Sequence, residues 1–159
     1  MPSIQEAAAV FLANRRIAVT GVSGSSPREH GSNAVYRRLR SLGYEVFAVN
    51  PNADRVEGDP CYPDLAAIPG GVDAVVIGTN PRHAEATMRQ CAALGIKHVW
   101  MHRSFGAGSV STTATAYGRS QGISVIDGGC PLMFGPKADG PHKVMRHLCT
   151  LMGTVPRSV

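Results

Sequence analysis

The sequence predicts an α/β fold: a single doubly wound domain over residues 1–159, built on a mostly parallel five-stranded sheet. Three observations carry that expectation. Short continuous apolar runs alternate with stretches whose apolar residues recur at helical spacing, the pattern of strands buried on both faces between crossover helices. A glycine- and serine-rich turn, VTGVSGSSPREHGS at residues 19–32, follows the first apolar run directly. No linker, repeat or low-complexity stretch divides the chain, and 159 residues with 43% apolar content suffice for one core but hardly for two.

Each element has its own signal. Ser3 and Glu6 form a capping box, and Ile4, Ala8 and Phe11 follow at helical spacing, which predicts a short helix over residues 3–14. Residues 16–20 (RIAVT) read as the first buried strand. Beyond the glycine-serine turn, Val35, Leu39 and Leu42 line one face of a second helix, closed by Gly43. Residues 45–49 (EVFAV) are the second strand, stopped by Asn50-Pro51. Residues 52–72, with Pro60, Pro63 and Pro69, read as a long connection. Residues 73–77 (DAVVI) form a third strand, and Asn80-Pro81 then caps and opens a helix that Gly95 ends. Residues 97–101 (KHVWM) and 123–126 (ISVI) complete the sheet, with a helix between them around Val110, Ala114 and Tyr117. Pro141 opens a last helix carrying a Val144, Leu148, Leu151 stripe.

Composition excludes several classes. The net charge of +5 favours an anionic ligand, but no run of four Lys or Arg marks a nucleic-acid surface. Aromatic content of 6%, without interleaved basic residues, gives no stacking platform for single strands. No apolar stretch reaches the length of a membrane span, and residues 1–16 lack the apolar core of a signal peptide. The four cysteines have no zinc or iron–sulfur spacing, and no histidine pair has a convincing third ligand, so no metal is expected. Reduced cysteines and a cytoplasmic location are the corresponding expectation.

The turn carries the chemistry. Gly21, Gly24 and Gly31 follow the first strand, where the next helix aims free N–H groups and its positive end at a phosphate. Ser23, Ser25 and Ser26 add hydroxyl donors, and Arg28 can pair with an outer phosphate oxygen. No Lys followed by Ser or Thr makes this a nucleoside-triphosphate loop, and the glycine spacing departs from Gly-x-Gly-x-x-Gly. The second strand ends in Val49-Asn50-Pro51 rather than in the acid that binds an NAD ribose. NADP and coenzyme A (CoA) both survive that test.

The stretches GVSGSSPREHGSNAVYRRLRSLGYEVFAVNP, VDAVVIGTNPRHA, LGIKHVWM and GGCPLMF closely resemble those of the CoA-binding domain proteins. These are stand-alone, Rossmann-like relatives of the first domain of the succinyl-CoA synthetase alpha subunit. The resemblance runs from about Ile17 to Met152 and implies CoA as the ligand. It implies that Gly21, Ser23, Ser26, Pro27 and Arg28 cradle the CoA phosphates and that Val49, Asn50 and Pro51 lie along the nucleotide. It further implies that Gly78, Thr79, Asn80 and Pro81 approach the pyrophosphate or pantetheine. The chain departs from the family after Trp100-Met101, where His102-Arg103-Ser104-Phe105-Gly106 replaces a more usual Gln followed by a glycine turn. The synthetase's second domain, bearing the phosphorylated histidine, has no counterpart in these residues.

Two residues at the expected functional edge invite a chemical role. His102 ends the fourth strand and is expected to line the pocket. Cys130 follows Gly128-Gly129 after the fifth, where a thiol is either a nucleophile, a partner for thiol exchange, or a small buried side chain beside glycines. The last is favoured, because no His and acid partner can be assigned to it. Non-catalytic binding of CoA or an acyl-CoA is therefore the leading expectation. The alternatives are a small NADP- or CoA-dependent enzyme and an interaction protein whose nucleotide site has decayed. A homodimer through the last helix, and a partner protein that metabolises acyl-CoA, complete the expectations.

Overall fold

The computed structural model describes residues 2–24, 31–103, 108–135, 138 and 140–159. Helix α1 (Ile4–Leu12) starts at Ser3, whose hydroxyl accepts from Glu6 N–H while the Glu6 carboxylate accepts from Ser3 N–H, the reciprocal box expected. Strand β1 (Arg16–Thr20), helix α2 (Gly31–Ser41) and strand β2 (Glu45–Val49) follow. Strands β3 (Arg55–Val56) and β4 (Asp59–Tyr62) come next. Strand β5 (Ala74–Ile77), helix α3 (Pro81–Ala93) and strand β6 (His98–Met101) precede helix α4 (Thr112–Ser120) and strand β7 (Ser124–Asp127). A 3-10 turn at Pro131–Met133 leads to helix α5 (Gly140–Leu151).

The sheet runs β3-β4-β2-β1-β5-β6-β7, parallel throughout except for the β3–β4 pair. Seven strands correct the expected five. The two additional strands form a hairpin inside residues 52–72, which the prolines made look like plain connection. Its two-residue turn is Glu57-Gly58, with φ of 52° and 81°. A turn with both central residues left-handed matches the twist of the flanking strands, but is usually signalled by Asn-Gly or Asp-Gly. Here tertiary contacts hold Glu57 in place: its carboxylate accepts from Asn33 Nδ2 at 2.7 Å and from Arg37 at 3.0 Å. Pro60 is tolerated because the ladder bond to β3 comes from Cys61 N–H, which donates to Asp54 O at 2.8 Å, and the pairing with β2 begins only at Cys61. Asp59 ties the hairpin to α2, accepting from the Tyr36 hydroxyl at 2.6 Å and pairing with Arg40.

Alternate residues of the central strands feed two cores. Ile17, Val19, Val76, Trp100 and Ile126 join α1, α2 and the 3-10 turn on one face. Ala18, Val75, Ile77, Val99, Met101 and Val125 join α3 and α4 on the other. This period-2 division of uniformly apolar strands is the physical content of a doubly wound sheet. Trp100 anchors the first core, edge-on to Phe11 at 5.4 Å and donating Nε1–H to Gly128 O at 2.8 Å. On α5 only Cys149 is buried, and Val144, Leu148 and Leu151 face solvent.

Candidate functional site

Strand order places the site. The chain leaves β1 towards β2 on one side and returns to β5 on the other, so the crevice beyond the carboxyl ends of β1 and β5 is the topological switch point. Three backbone turns meet there: Gly21–Gly24 after β1, Asn50-Pro51 after β2 and Gly78–Asn80 after β5. They touch through glycine. A Cβ on Gly21, whose φ is +82°, would come within 2.6 Å of Gly78 O, and a Cβ on Gly78 would overlap Ser32 Oγ and reach 2.6 Å from Thr20 O.

Side chains then clamp the first turn from three elements. Thr20 Oγ1 accepts from Gly78 N–H at 3.1 Å, and the Ser32 hydroxyl donates to Gly78 O at 3.2 Å. Gly21 N–H donates to Val49 O at 3.3 Å, and Asn50 Nδ2 donates to Val22 O at 2.9 Å. Asn33, buried in the first turn of α2, brackets one residue. Its Oδ1 accepts from Ser23 N–H at 3.0 Å, while its Nδ2 donates to Ser23 O at 2.8 Å and to Glu57. The hairpin also approaches the turn, since a Cβ on Gly24 would lie 3.6 Å from Arg55 O. The turn is thus fixed before any ligand arrives. Replacing Asn33 with alanine is expected to remove three hydrogen bonds, two to the Ser23 backbone and one to the Glu57 carboxylate. We expect a loss of about 2 kcal/mol in urea unfolding, with the midpoint moving and the slope unchanged.

The expected site residues fall into distinct positions. Gly21, Ser23, Gly24, Gly78 and Thr79 sit on the switch-point turns. Val49 contributes its carbonyl to the turn and is otherwise buried, Asn50 is a clip between turns, and Pro51 is exposed. Asn80 caps α3, accepting from Arg82 N–H at 3.2 Å, with Pro81 as the first helical residue. Ser25, Ser26, Pro27 and Arg28 lie outside the described residues, as do Ser104, Phe105 and Gly106. Thr79 Oγ1 is buried without a hydrogen-bond partner among the described residues, which singles out this hydroxyl on the β5 turn.

His102 extends β6 by one bond, donating N–H to Ile77 O at 2.9 Å, and its ring lies against the start of α2. A Cβ on Gly31 would sit 2.9 Å from His102 Cε1. Burial pushes the imidazole down to about 4, so it is neutral at pH 7. A neutral ring is what the positive end of a helix tolerates, and it keeps one donor and one acceptor nitrogen. Cys130 is buried in the first core, and burial pushes its thiol up to about 12, so it is no thiolate. The glycines before it have a packing reason: a Cβ on Gly128 would lie 2.6 Å from Thr154 O.

Sequence reasoning did not single out Thr20, Ser32, Asn33 or Glu57. Asn33 lies within the helix that follows the turn, and nothing local says that its amide reaches back ten residues. Among the described residues no group of three His, Cys, Asp or Glu side chains is placed to hold a metal ion, and no helix is long and apolar enough to cross a membrane.

The same arrangement has relatives. ADP-forming acetate–CoA ligase I of Archaeoglobus fulgidus is 34% identical over 74 residues, covering 46% of this chain and 11% of that enzyme. Ligase II of the same organism is 34% identical over 85 residues, covering 52% and 12%. The chain therefore corresponds to a small part of each ligase. A hypothetical protein from Pyrococcus horikoshii has the same fold with a TM-score of 0.73 at 25% identity, over 82% of this chain and 87% of that one. The dinucleotide-forming acetyl-coenzyme A synthetase 1 of Ca. Korarchaeum cryptofilum, in complex with phosphate and ADP, superposes with a TM-score of 0.57. It is 28% identical over 70% of this chain and 25% of that one. The family profile described as a CoA binding domain matches residues 15–136, most of the chain, and the protein belongs to that family.

Proposed function

We propose that the protein binds CoA or an acyl-CoA at the switch-point crevice and holds it without turning it over. The observation that carries this reading is the pre-clamped turn at residues 21–24, closed against the β5 turn through Gly21 and Gly78 and leading towards the N-terminus of α2. The Gly21 and Ser23 N–H groups are spent on Val49 O and Asn33 Oδ1, so these bonds fix the path of the turn. A turn already fixed costs little reorganisation when a phosphate arrives, and the helix end favours its charge. The residues present support that reading. A long nucleotide needs a phosphate cradle, flat backbone alongside it, and hydrogen-bonding groups further on. We take the turn, the Val49–Pro51 segment, and the Thr79 hydroxyl with neutral His102 as the groups that would meet these needs. The net charge of +5 acts in the same direction on a polyanion.

Bound CoA would supply a thiol or thioester. This chain's residues would bind and orient it, Ser23, Ser25, Ser26 and Arg28 on the phosphates and Gly78 to Pro81 on the pyrophosphate or pantetheine. No step is assigned to Cys130, whose thiol is buried and protonated, nor to His102, which has no acid partner in the geometry described.

Titration calorimetry with CoA, acetyl-CoA, NADP and NAD at fixed ionic strength tests the proposal. Binding of CoA or acetyl-CoA in the micromolar range is expected, weakened at least tenfold by Arg28→Ala through loss of a charge-assisted bond. Binding of NADP with none of CoA would overturn it in favour of a redox enzyme, and steady release of free CoA from acetyl-CoA would overturn the absence of turnover.

A further inference from the structure

A cavity lies at the end of the sheet opposite the switch-point turns. Its walls include Ala13 and Arg15, which lead into β1, and Leu42 and Tyr44, which lead into β2. These residues precede their strands, whereas the switch-point turns follow theirs, so the length of the sheet separates the two sites. The cavity occupies about 470 Å³ between α1, the second half of α2, the segment after β7 and α5. That is within the usual range for small-molecule sites, roughly 300–1,000 Å³.

Its chemistry is lopsided. Leu12, Leu39, Leu42 and Phe134 give it apolar walls, while Arg15, Arg38 and Arg146 supply three guanidinium groups, and no described residue lining it is acidic. The Arg146 guanidinium carbon stands 5.6 Å from the centre of the Phe134 ring, so one charge is held over an aromatic wall. Arg15 bears on Tyr44 from another side: burial raises the Tyr44 phenol and the Arg15 charge opposes that rise. The Tyr44 hydroxyl donates to Leu12 O at 2.6 Å, so this polar group of the wall is already satisfied. A neighbouring groove shares Arg38 and Leu132 and adds Arg37, which is paired with Glu57, and His142.

Apolar walls with cations, and no carboxylate among the described residues, complement one kind of occupant. We propose that this cavity is a second ligand site, for a small monocarboxylate with an apolar body, its chain along Leu12, Leu39, Leu42 and Phe134 and its carboxylate towards Arg15 and Arg146. Guanidinium groups form paired, charge-assisted bonds with a carboxylate, and the apolar body accounts for the remaining affinity. The inference stands on this cavity and does not depend on CoA binding at the other end of the sheet.

The test uses the whole chain, labelled for NMR and titrated with octanoate, octanol and acetate. Octanoate is expected to shift the amides of Ala9, Ala13 and Leu42 saturably, and to bind at least tenfold more tightly than octanol or acetate. Ala9 lies on the cavity wall but is exposed, so Ala9→Phe fills the space without entering the core. That variant is expected to lose octanoate binding at least tenfold while keeping a dispersed, folded spectrum. Arg15→Gln combined with Arg146→Gln, both outside the core, is expected to bring octanoate down to the affinity of octanol. Octanol binding as tightly as octanoate would overturn the proposal, as would octanoate shifts that survive either variant or that cluster on residues 21–24 and 78–80.

Discussion

Gly21→Ala is expected to lower the melting temperature by roughly 6–12 °C and to abolish CoA binding. Two costs combine at this position. The backbone is left-handed, at φ +82°, which costs an alanine about 1–2 kcal/mol. The new methyl would also sit 2.6 Å from Gly78 O and 3.0 Å from Thr79 N. Those atoms belong to the β5 turn, whose N–H and carbonyl are held by Thr20 and Ser32, so neither strand end can move aside cheaply. Overpacking of this kind costs about 1–3 kcal/mol, giving about 3 kcal/mol in all, and a domain of this size loses roughly 2–4 °C per kcal/mol. Gly43→Ala is the control. Its φ is +90°, but a Cβ there meets nothing within 4 Å, so it bears the backbone cost alone and is expected to lose about 1 kcal/mol. Equal shifts in the two variants would mean that the Gly21–Gly78 contact is not what constrains the turn. The effect on binding follows from the same contact, because a turn pushed off the β5 edge no longer presents the same backbone to the crevice.

The legible part of this fold was the part governed by local pattern. Strands covered on both faces must be apolar through their middles, and β1 at residues 17–19, β5 at 74–77 and β7 at 125–126 are, so their approximate positions are legible directly. The Asn80-Pro81 cap and the Ser3–Glu6 box were equally visible, because each needs only residues within one helical turn. The hairpin at residues 55–62 was not. Its turn has Glu57 where Asn or Asp usually stands, and the left-handed conformation is held by Asn33 and Arg37 from another element. Such a contact has no sequence signature. The candidate site divides in the same way. Glycines mark the switch point because close backbone approach demands them, but the clamps on the turn are long-range bonds from ordinary residues. Asn50 illustrates the difference: its place beside the crevice was legible, whereas its work of holding Val22 O required the folded chain. On α5 the 3.6-residue periodicity was real, yet the stripe it draws faces solvent. Periodicity identifies a face, not what covers it.

Stability is expected to fall by about 3 kcal/mol between pH 6.5 and pH 4 through His102 alone. The imidazole ends β6 with its ring against the start of α2, and burial pushes it down to about 4. In the unfolded chain it returns to its ordinary value of about 6.5. The depressed value means that the unfolded state binds the proton first, so the native state loses stability as pH falls below the unfolded value. The loss accumulates down to the folded value and is constant below it; above pH 6.5 nothing is lost. A gap of about two and a half units corresponds to about 3 kcal/mol. Urea unfolding of the protein and of His102→Gln at pH 7.5, 6 and 5 isolates this group, because every other titrating residue is common to both. Glutamine keeps a donor and an acceptor near the same place but takes up no proton. The difference in stability between the two proteins should therefore shift in favour of the glutamine variant on acidification, by about 2 kcal/mol between pH 7.5 and pH 5. Parallel curves would show that the native state accepts the proton without penalty, with the ring turned to solvent rather than against Gly31. A bound polyanion would oppose the same loss, because phosphate charge near the ring favours its protonated form. If CoA occupies this crevice, saturating CoA should shrink the acid-dependent gap between the two proteins, which links the protonation of His102 to the ligand in one measurement.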